Sequence, residues 1–307
     1  MSSSILVVGS VALDSVETPF GKADEVLGGS ATFFSVAASY FTTPRIIAAV
    51  GDDFPEEHID LLKKHNVDVA GLQQIQGGRT FRWSGSYGFD LNTARTLQTD
   101  LNVLGTFNPE VPEEYRDTEF LFLANIDPEL QLAVLRQMTR PRIVACDTMN
   151  FWIESKREAL TEVISSVDIV FMNEAEAREF AEEPNLVKAA KKILSLGPRF
   201  VAIKRGEYGA MLFGEGTIFA APAYPLEEVF DPTGAGDTFG GGFMGYLAHA
   251  GQFDSPTLRK AVAFGSIMAS FTVEDFSLRR LVRLTHPEIQ TRLQHYKRML
   301  ELELSHV

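Results

Sequence analysis

Asp231-Pro232-Thr233-Gly234-Ala235-Gly236-Asp237-Thr238-Phe239-Gly240-Gly241-Gly242-Phe243 joins a stiff, glycine-bearing loop to a helical repeat. Proline fixes φ and removes a backbone donor, Gly234 and Gly236 let main chain approach a ligand, and Phe239, Phe243 and Leu247 recur every four residues. The stretch predicts a loop running into a helix N-terminus. Such an end presents N–H groups without internal partners, backed by the positive end of the helix dipole, and suits an anion. Asp237 then has two readings: a first-turn capping carboxylate worth about 1 kcal/mol, or a reactive group beside an anion site. Gly240, Gly241 and Gly242 follow inside the helix, where each costs about 1 kcal/mol relative to alanine. That cost points to close backbone approach, and a bound phosphate is the expectation.

Outward from this loop the chain alternates. Buried-strand runs are expected at Ile5–Gly9, Ile46–Val50, Phe120–Ala124, Arg142–Asp147, Ile169–Met172 and Phe200–Lys204. Between them, apolar residues at three- and four-residue spacing predict helices at Ser30–Tyr40, Glu56–His65, Pro128–Met138, Ser155–Ile164, Glu174–Ala181 and Leu186–Ser195. The alternation predicts an α/β fold, with a largely parallel sheet between two helical layers and ligands beyond the carboxyl ends of its strands. Two stretches with period-two character, residues 11–28 and 75–104, interrupt the rhythm and pair as a small separate sheet. That sheet is either a lid over the active site, or an edge extension or dimerisation surface. From about Thr257 the pattern is helical, ending in a surface helix at Pro287–Leu304.

Composition narrows the partners. The chain has 307 residues, 45% of them apolar, and a formal net charge of −13, which argues against a phosphate-backbone surface and for a small-molecule partner. The single cysteine, Cys146, lies in an apolar run and reads as a buried thiol. The first residues lack a basic region and a long apolar run, and no stretch approaches the ~18 apolar residues of a membrane span. The cytoplasm is the expected location, with no membrane and no nucleic acid. The six histidines are scattered without metal-ligand spacing, and neither a Gly-x-Ser-x-Gly nor a Walker-type motif occurs, so hydrolase and P-loop chemistries lack support.

Residues 231–237 match at every position the C-terminal signature of the ribokinase-like, or PfkB-type, carbohydrate kinases, and the chain resembles that family over nearly its whole length. The resemblance implies a ribokinase-like three-layer α/β/α domain spanning 1–307, with a small β-sheet lid formed by 11–28 and 75–104. It implies phosphoryl transfer from ATP with Mg²⁺ to a hydroxyl of a sugar, polyol or nucleoside. Asp237 would take the hydroxyl proton, and the backbone amides of Gly234, Ala235 and Gly236 would form an anion hole. Leu27-Gly28-Gly29-Ser30 resembles the family's substrate-side glycine pair, which hinges the lid, and Asp14 stands where the family binds substrate hydroxyls. Asn173-Glu174-Ala175-Glu176 resembles its Asn-x-x-Glu element, making Asn173 and Glu176 candidates around Mg²⁺, directly or through water. An N-cap asparagine with first-turn glutamates explains the same residues equally well. Lys204-Arg205-Gly206-Glu207-Tyr208-Gly209 resembles the nucleotide-side turn, so Lys204, Gly206, Gly209 and Thr233 are nucleotide candidates. Gly265 falls where the family lines its adenine pocket, or else packs a core helix. Some relatives use K⁺, expected here near Asp231, Thr233 and the backbone of 273–277.

Three further substrate candidates come from position alone: Arg82 on the lid-like segment, and Asn125 and Asn150 beyond strand ends. Gly28 to Phe34 lacks the asparagine of many sugar kinases, with Phe34 in its place, which leaves sugars, inositols and nucleosides open. Phe33 and Phe34 either stack on a nucleobase or pack their helix. A protein that kept the fold but lost turnover, binding nucleotide or sugar, is the alternative function.

Overall fold

Along β1 (Ile5–Val8), Ile5 and Val7 enter one apolar core while Leu6 and Val8 enter another, since successive strand side chains point to opposite faces. A strand apolar on both faces needs helices on both, and that requirement sets the layering. The computed structural model describes residues 4–301. Its strands continue as β2 (Ala12–Thr18), β3 (Gly21–Gly28), β4 (Pro44–Gly51), β5 (Asp68–Ile75), β6 (Phe81–Tyr87), β7 (Ala94–Asp100), β8 (Phe120–Leu123), β9 (Ile143–Asp147), β10 (Ile169–Asn173), β11 (Phe200–Lys204), β12 (Ala210–Gly214) and β13 (Thr217–Ala221). Nine form one sheet in the order β13-β12-β11-β10-β9-β8-β1-β4-β5. All its pairings are parallel except those of β12 and β13, which close one edge as an antiparallel hairpin.

The helices are α1 (Ser30–Ala38), α2 (Glu56–Lys64), α3 (Pro128–Leu135), α4 (Asn150–Ser155), α5 (Arg157–Ser165), α6 (Glu174–Ala181), α7 (Leu186–Leu194), α8 (Ala235–Ala250), α9 (Ser255–Thr272) and α10 (His286–Leu300). Helices α1, α8 and α9 supply one core, while α3, α5, α6 and α7 supply the other. The expected extension of α10 to 304 falls partly outside the described residues; within them the helix ends at Leu300. Among the described residues no helix is long and apolar enough to cross a membrane.

The two irregular stretches do pair, in the order β3-β2-β6-β7. The central β2–β6 pair is parallel, so this is not a simple meander. The hairpin β2–β3 is tied to the Asp231 loop: Phe20 meets Phe230 edge-on at 6.4 Å, and Ser277 Oγ donates to the Leu27 carbonyl at 2.5 Å.

The glycines inside α8 have a different cause from the one expected of them. A Cβ on Gly241 would stand 2.3 Å from the Phe34 carbonyl of α1, and one on Gly242 would stand 2.8 Å from the Phe264 carbonyl of α9. Gly265 answers from α9, where a Cβ would lie 2.8 Å from the Phe239 carbonyl. These glycines let three helices close on one another. Gly241→Ala should therefore lower stability by about 1–3 kcal/mol by overpacking, against the gain of about 1 kcal/mol that alanine brings to a helix. The obstacle is backbone and cannot swing away, so the loss prevails; urea unfolding of the variant measures it.

Candidate active site

Helix α8 is capped by Gly234, whose φ of 73° is left-handed and whose Cα faces the Phe33 ring too closely for any side chain. The Ala235 N–H closes the turn on the Pro232 carbonyl at 3.1 Å. Among the described residues, the N–H groups of Gly234 and Gly236 make no such loop bond. Of the three amides expected to face an anion, that of Ala235 is engaged in the turn.

Asp237 follows in the first helical turn. Burial, then the charge of Asp147, push its carboxyl up to about 7, with Lys204 pulling the other way. Lys204 ends β11 and Asp147 ends β9, and their side chains meet across the intervening β10 at 2.5 Å. The Lys204 side chain is 16% exposed and that of Asp147 3%. Although burial opposes its charge, Asp147 and Glu176 hold the Lys204 ammonium above its usual pKa. A Cβ on Gly236 would stand 3.1 Å from Lys204 Nζ, so this cation borders the helix N-terminus.

Asn173 and Glu176 form a complete capping box at the start of α6. Glu176 Oε2 accepts from the Asn173 N–H at 2.7 Å and Oε1 from its Nδ2 at 2.6 Å. Burial raises the Glu176 carboxyl to about 7 against the pull of Lys204. The capping reading is therefore satisfied in full, with one donor on each Glu176 oxygen.

Asp14, whose carboxyl feels the charges of Asp231 and Asp237, sits in β2, buried. Gly28 must lack a side chain because its Cβ would lie 1.9 Å from Asp14 Oδ2, and the Gly29 N–H donates to the same oxygen at 3.3 Å. Burial raises Asp14 to about 7, with Asp231 and Asp237 adding to the effect. Ser30 continues the chain of contacts. Its Oγ accepts from the Ser10 N–H at 3.1 Å and donates to the Asn125 carbonyl at 2.9 Å. Asn125 Oδ1 in turn accepts from Trp152 Nε1 at 3.0 Å.

Other expected residues do different work. The Asp231 oxygens accept from the Thr233 and Ser277 N–H groups at 2.9 and 3.1 Å, and Thr233 Oγ1 reaches Tyr87 Oη at 3.3 Å. Among the described residues no group of three His, Cys, Asp or Glu is placed to hold a metal. Arg82 does not present its guanidinium to this cluster, because Glu25 and Asp53 bind it at 2.7 and 2.8 Å. Register pairs Asp14 with Trp83 and Leu13 with Arg82, which puts Arg82 on the strand face opposite Asp14. Gly206 and Gly209 do permit close passage, but of Asn92 and the Ala221 carbonyl. Gly265 meets the Phe239 backbone and ring at the α8–α9 contact, as the core-packing reading expects. Asn150 opens α4, exposed. Phe33 and Phe34 are both buried, Phe34 stacked on Phe122 at 4.2 Å, so the aromatic pair packs its helix.

Asp147, Tyr87, Ser10 and Trp152 escaped the sequence reading. Asp147 did leave a trace, a carboxylate ending the apolar run Ile143–Cys146, but its pairing with Lys204 depends on strand order.

Known proteins resemble the chain throughout. The model of the pfkB family of carbohydrate kinases matches residues 4–282. A cytidine kinase of Thermococcus kodakarensis is 31% identical over 246 residues, which cover 78% of this chain and 87% of that one. The solved nucleoside kinase of Burkholderia thailandensis in complex with ADP-inosine superposes with a TM-score of 0.80 at 17% identity, covering 95% of each chain. That of Methanocaldococcus jannaschii, described as an archaeal member of the ribokinase family, gives 0.77 at 21% identity, over 96% of this chain and 99% of its own. With the family model matched over residues 4–282 and a 31% identical relative covering most of both chains, the chain belongs to the pfkB family of carbohydrate kinases.

Proposed function

We propose that this kinase transfers the γ-phosphoryl group of ATP to a hydroxyl of a nucleoside. The observation that carries the reading is the α8 N-terminus, where the half-buried Asp237 carboxylate, the Gly234 and Gly236 amides and the Lys204 ammonium converge. Asp237 takes the proton of the substrate hydroxyl as its oxygen bonds the γ-phosphorus. The bond from that phosphorus to the bridging oxygen breaks, and ADP carries away the electron pair. A loose transition state spreads charge over the phosphoryl oxygens, and the two amides with Lys204 supply fixed positive partners there. Asp14, an acceptor-only carboxylate when ionised, takes hydrogen bonds from neighbouring substrate hydroxyls.

Mg²⁺ would neutralise phosphate charge when bound. The carboxylate of Glu176 and the Asn173 amide suit contact through its water shell, because both Glu176 oxygens are already hydrogen-bonded. The Asp231 carboxylate, engaged by two N–H groups, fits a clamp between loops better than a K⁺ ligand. The small sheet, bound to the Asp231 loop through Phe20 and Ser277, suits a lid over the substrate. The 31% identical cytidine kinase favours nucleosides over sugars or inositol.

ADP release with Mg-ATP over cytidine, inosine, adenosine, ribose, fructose and myo-inositol tests the reading. Turnover of nucleosides above the sugars is expected; ATP binding without ADP release on any acceptor overturns it and favours a binding protein.

The pH profile follows from the same carboxylates. Asp237 and Asp14 act in their ionised forms and both titrate at about 7. kcat/KM should therefore rise with pH up to about 7 and level off above it, since that ratio reports the free enzyme. An ordinary carboxylate base would instead give a flat profile above about pH 5.

A further inference from the structure

We propose that Asn125, held in one orientation by Trp152, reads the substrate's base as a hydrogen-bond donor, so that the site selects nucleosides whose base presents a carbonyl or ring-nitrogen acceptor. The inference rests on the nucleoside-kinase reading and adds the recognition group. An indole N–H can only donate. With Trp152 Nε1 at 3.0 Å, the amide oxygen of Asn125 must face the indole, and a flipped amide would set donor against donor. The Nδ2 group is thereby turned the other way, and among the described residues it donates to nothing.

Its position is fixed as firmly as its polarity. The Asn125 carbonyl accepts from Ser30 Oγ at 2.9 Å, and the preceding Ala124 N–H donates to the Val8 carbonyl at 2.9 Å. Ser30 adjoins Gly29, whose N–H holds Asp14. The donor thus lies beyond the carboxyl end of β8 in the large sheet, and the Ser30–Gly29 contacts link it to the Asp14 carboxylate of β2 in the small one. Next to Trp152 in the chain, Phe151 is 53% exposed and meets the indole edge-on at 4.8 Å, leaving an apolar ring open to stacking. A bare sugar has no planar face, and its hydroxyls donate or accept as required, so it gains little from an amide locked to one polarity. A base has both a face to stack and an edge of fixed polarity.

Steady-state kinetics on cytidine, uridine, inosine and ribose, with Asn125→Asp, Asn125→Leu and Trp152→Phe, tests this. Asn125→Asp keeps size and the bond from Trp152 but turns an acceptor toward the base. It should lose about tenfold or more in kcat/KM on nucleosides, chiefly through KM, and leave ribose unchanged. Asn125→Leu should do the same. Trp152→Phe frees the amide to flip and should lose part of that factor, with melting temperatures showing that the variants stay folded. Equal losses on ribose and nucleosides, or full nucleoside activity in both Asn125 variants, overturn the assignment while leaving the kinase reading intact. A wild-type protein that phosphorylates no nucleoside overturns both.

Discussion

Asp237→Asn is expected to lower kcat by about 10²–10⁴-fold, the usual contribution of a positioned general base, while ATP still binds. Asparagine keeps the shape and removes the proton acceptor, so loss through misfolding is separable from loss of chemistry. The same substitution should stabilise the ligand-free protein, and the sign follows from linkage. Folding raises the Asp237 carboxyl from 3.8 to about 7, so the folded state binds the proton more tightly than the unfolded chain. Its contribution is fully present below about pH 4 and is lost as pH climbs through 7. At pH 8 the wild-type protein carries this half-buried, poorly solvated charge at a cost on the order of a few kcal/mol, and the variant does not. Melting temperature should rise by several degrees at pH 8, by less at pH 5, and barely change at pH 4. A near-normal kcat would remove Asp237 from the chemistry, whatever the melting curves show.

Lys204→Met is expected to have the largest effect on stability. Lys204 is the cation set among Asp147, Glu176 and Asp237, and removing one partner of a buried ion pair costs about 3–5 kcal/mol because the other charge is left uncompensated. The loss should be greater at pH 8 than at pH 6, where the stranded carboxylates take up protons instead. Adding Asp147→Asn should recover much of it, since removing both charges costs less than removing one. Urea unfolding of the two single variants and the double closes that cycle. Additive losses would mean that the pair is not the unit described here. Turnover should not return in the double variant, because the amides at Gly234 and Gly236 would still lack their neighbouring cation.

How these residues could be found beforehand depended on the range of the interaction that places them. Strand and helix positions were readable wherever one periodicity dominated: Phe200–Lys204 and Glu174–Ala181 begin and end where the pattern puts them. The β12–β13 hairpin was not foreseen, for short apolar runs such as Ala210–Gly214 carry no mark of direction. The α8 glycines were noticed for a sound reason, their cost, and assigned the wrong one, since nothing local says whether a ligand or another helix approaches. Arg82 was singled out by its segment and excluded by a one-residue register difference that turns it from the face of Asp14.

By itself the sequence determined the alternating α/β order, the loop-to-helix junction at Asp231–Asp237 and the identity of its carboxylate, because each is written in contiguous residues whose backbone preferences need no distant partner. The tertiary structure alone decided that Lys204 and Asp147 meet across β10, that Asp14 is desolvated against Gly28, and that Trp152 fixes the Asn125 amide. Those depend on strand order and packing between residues far apart in the chain, and charge and hydrogen-bond polarity acquire their chemical meaning only once burial has removed water from around them.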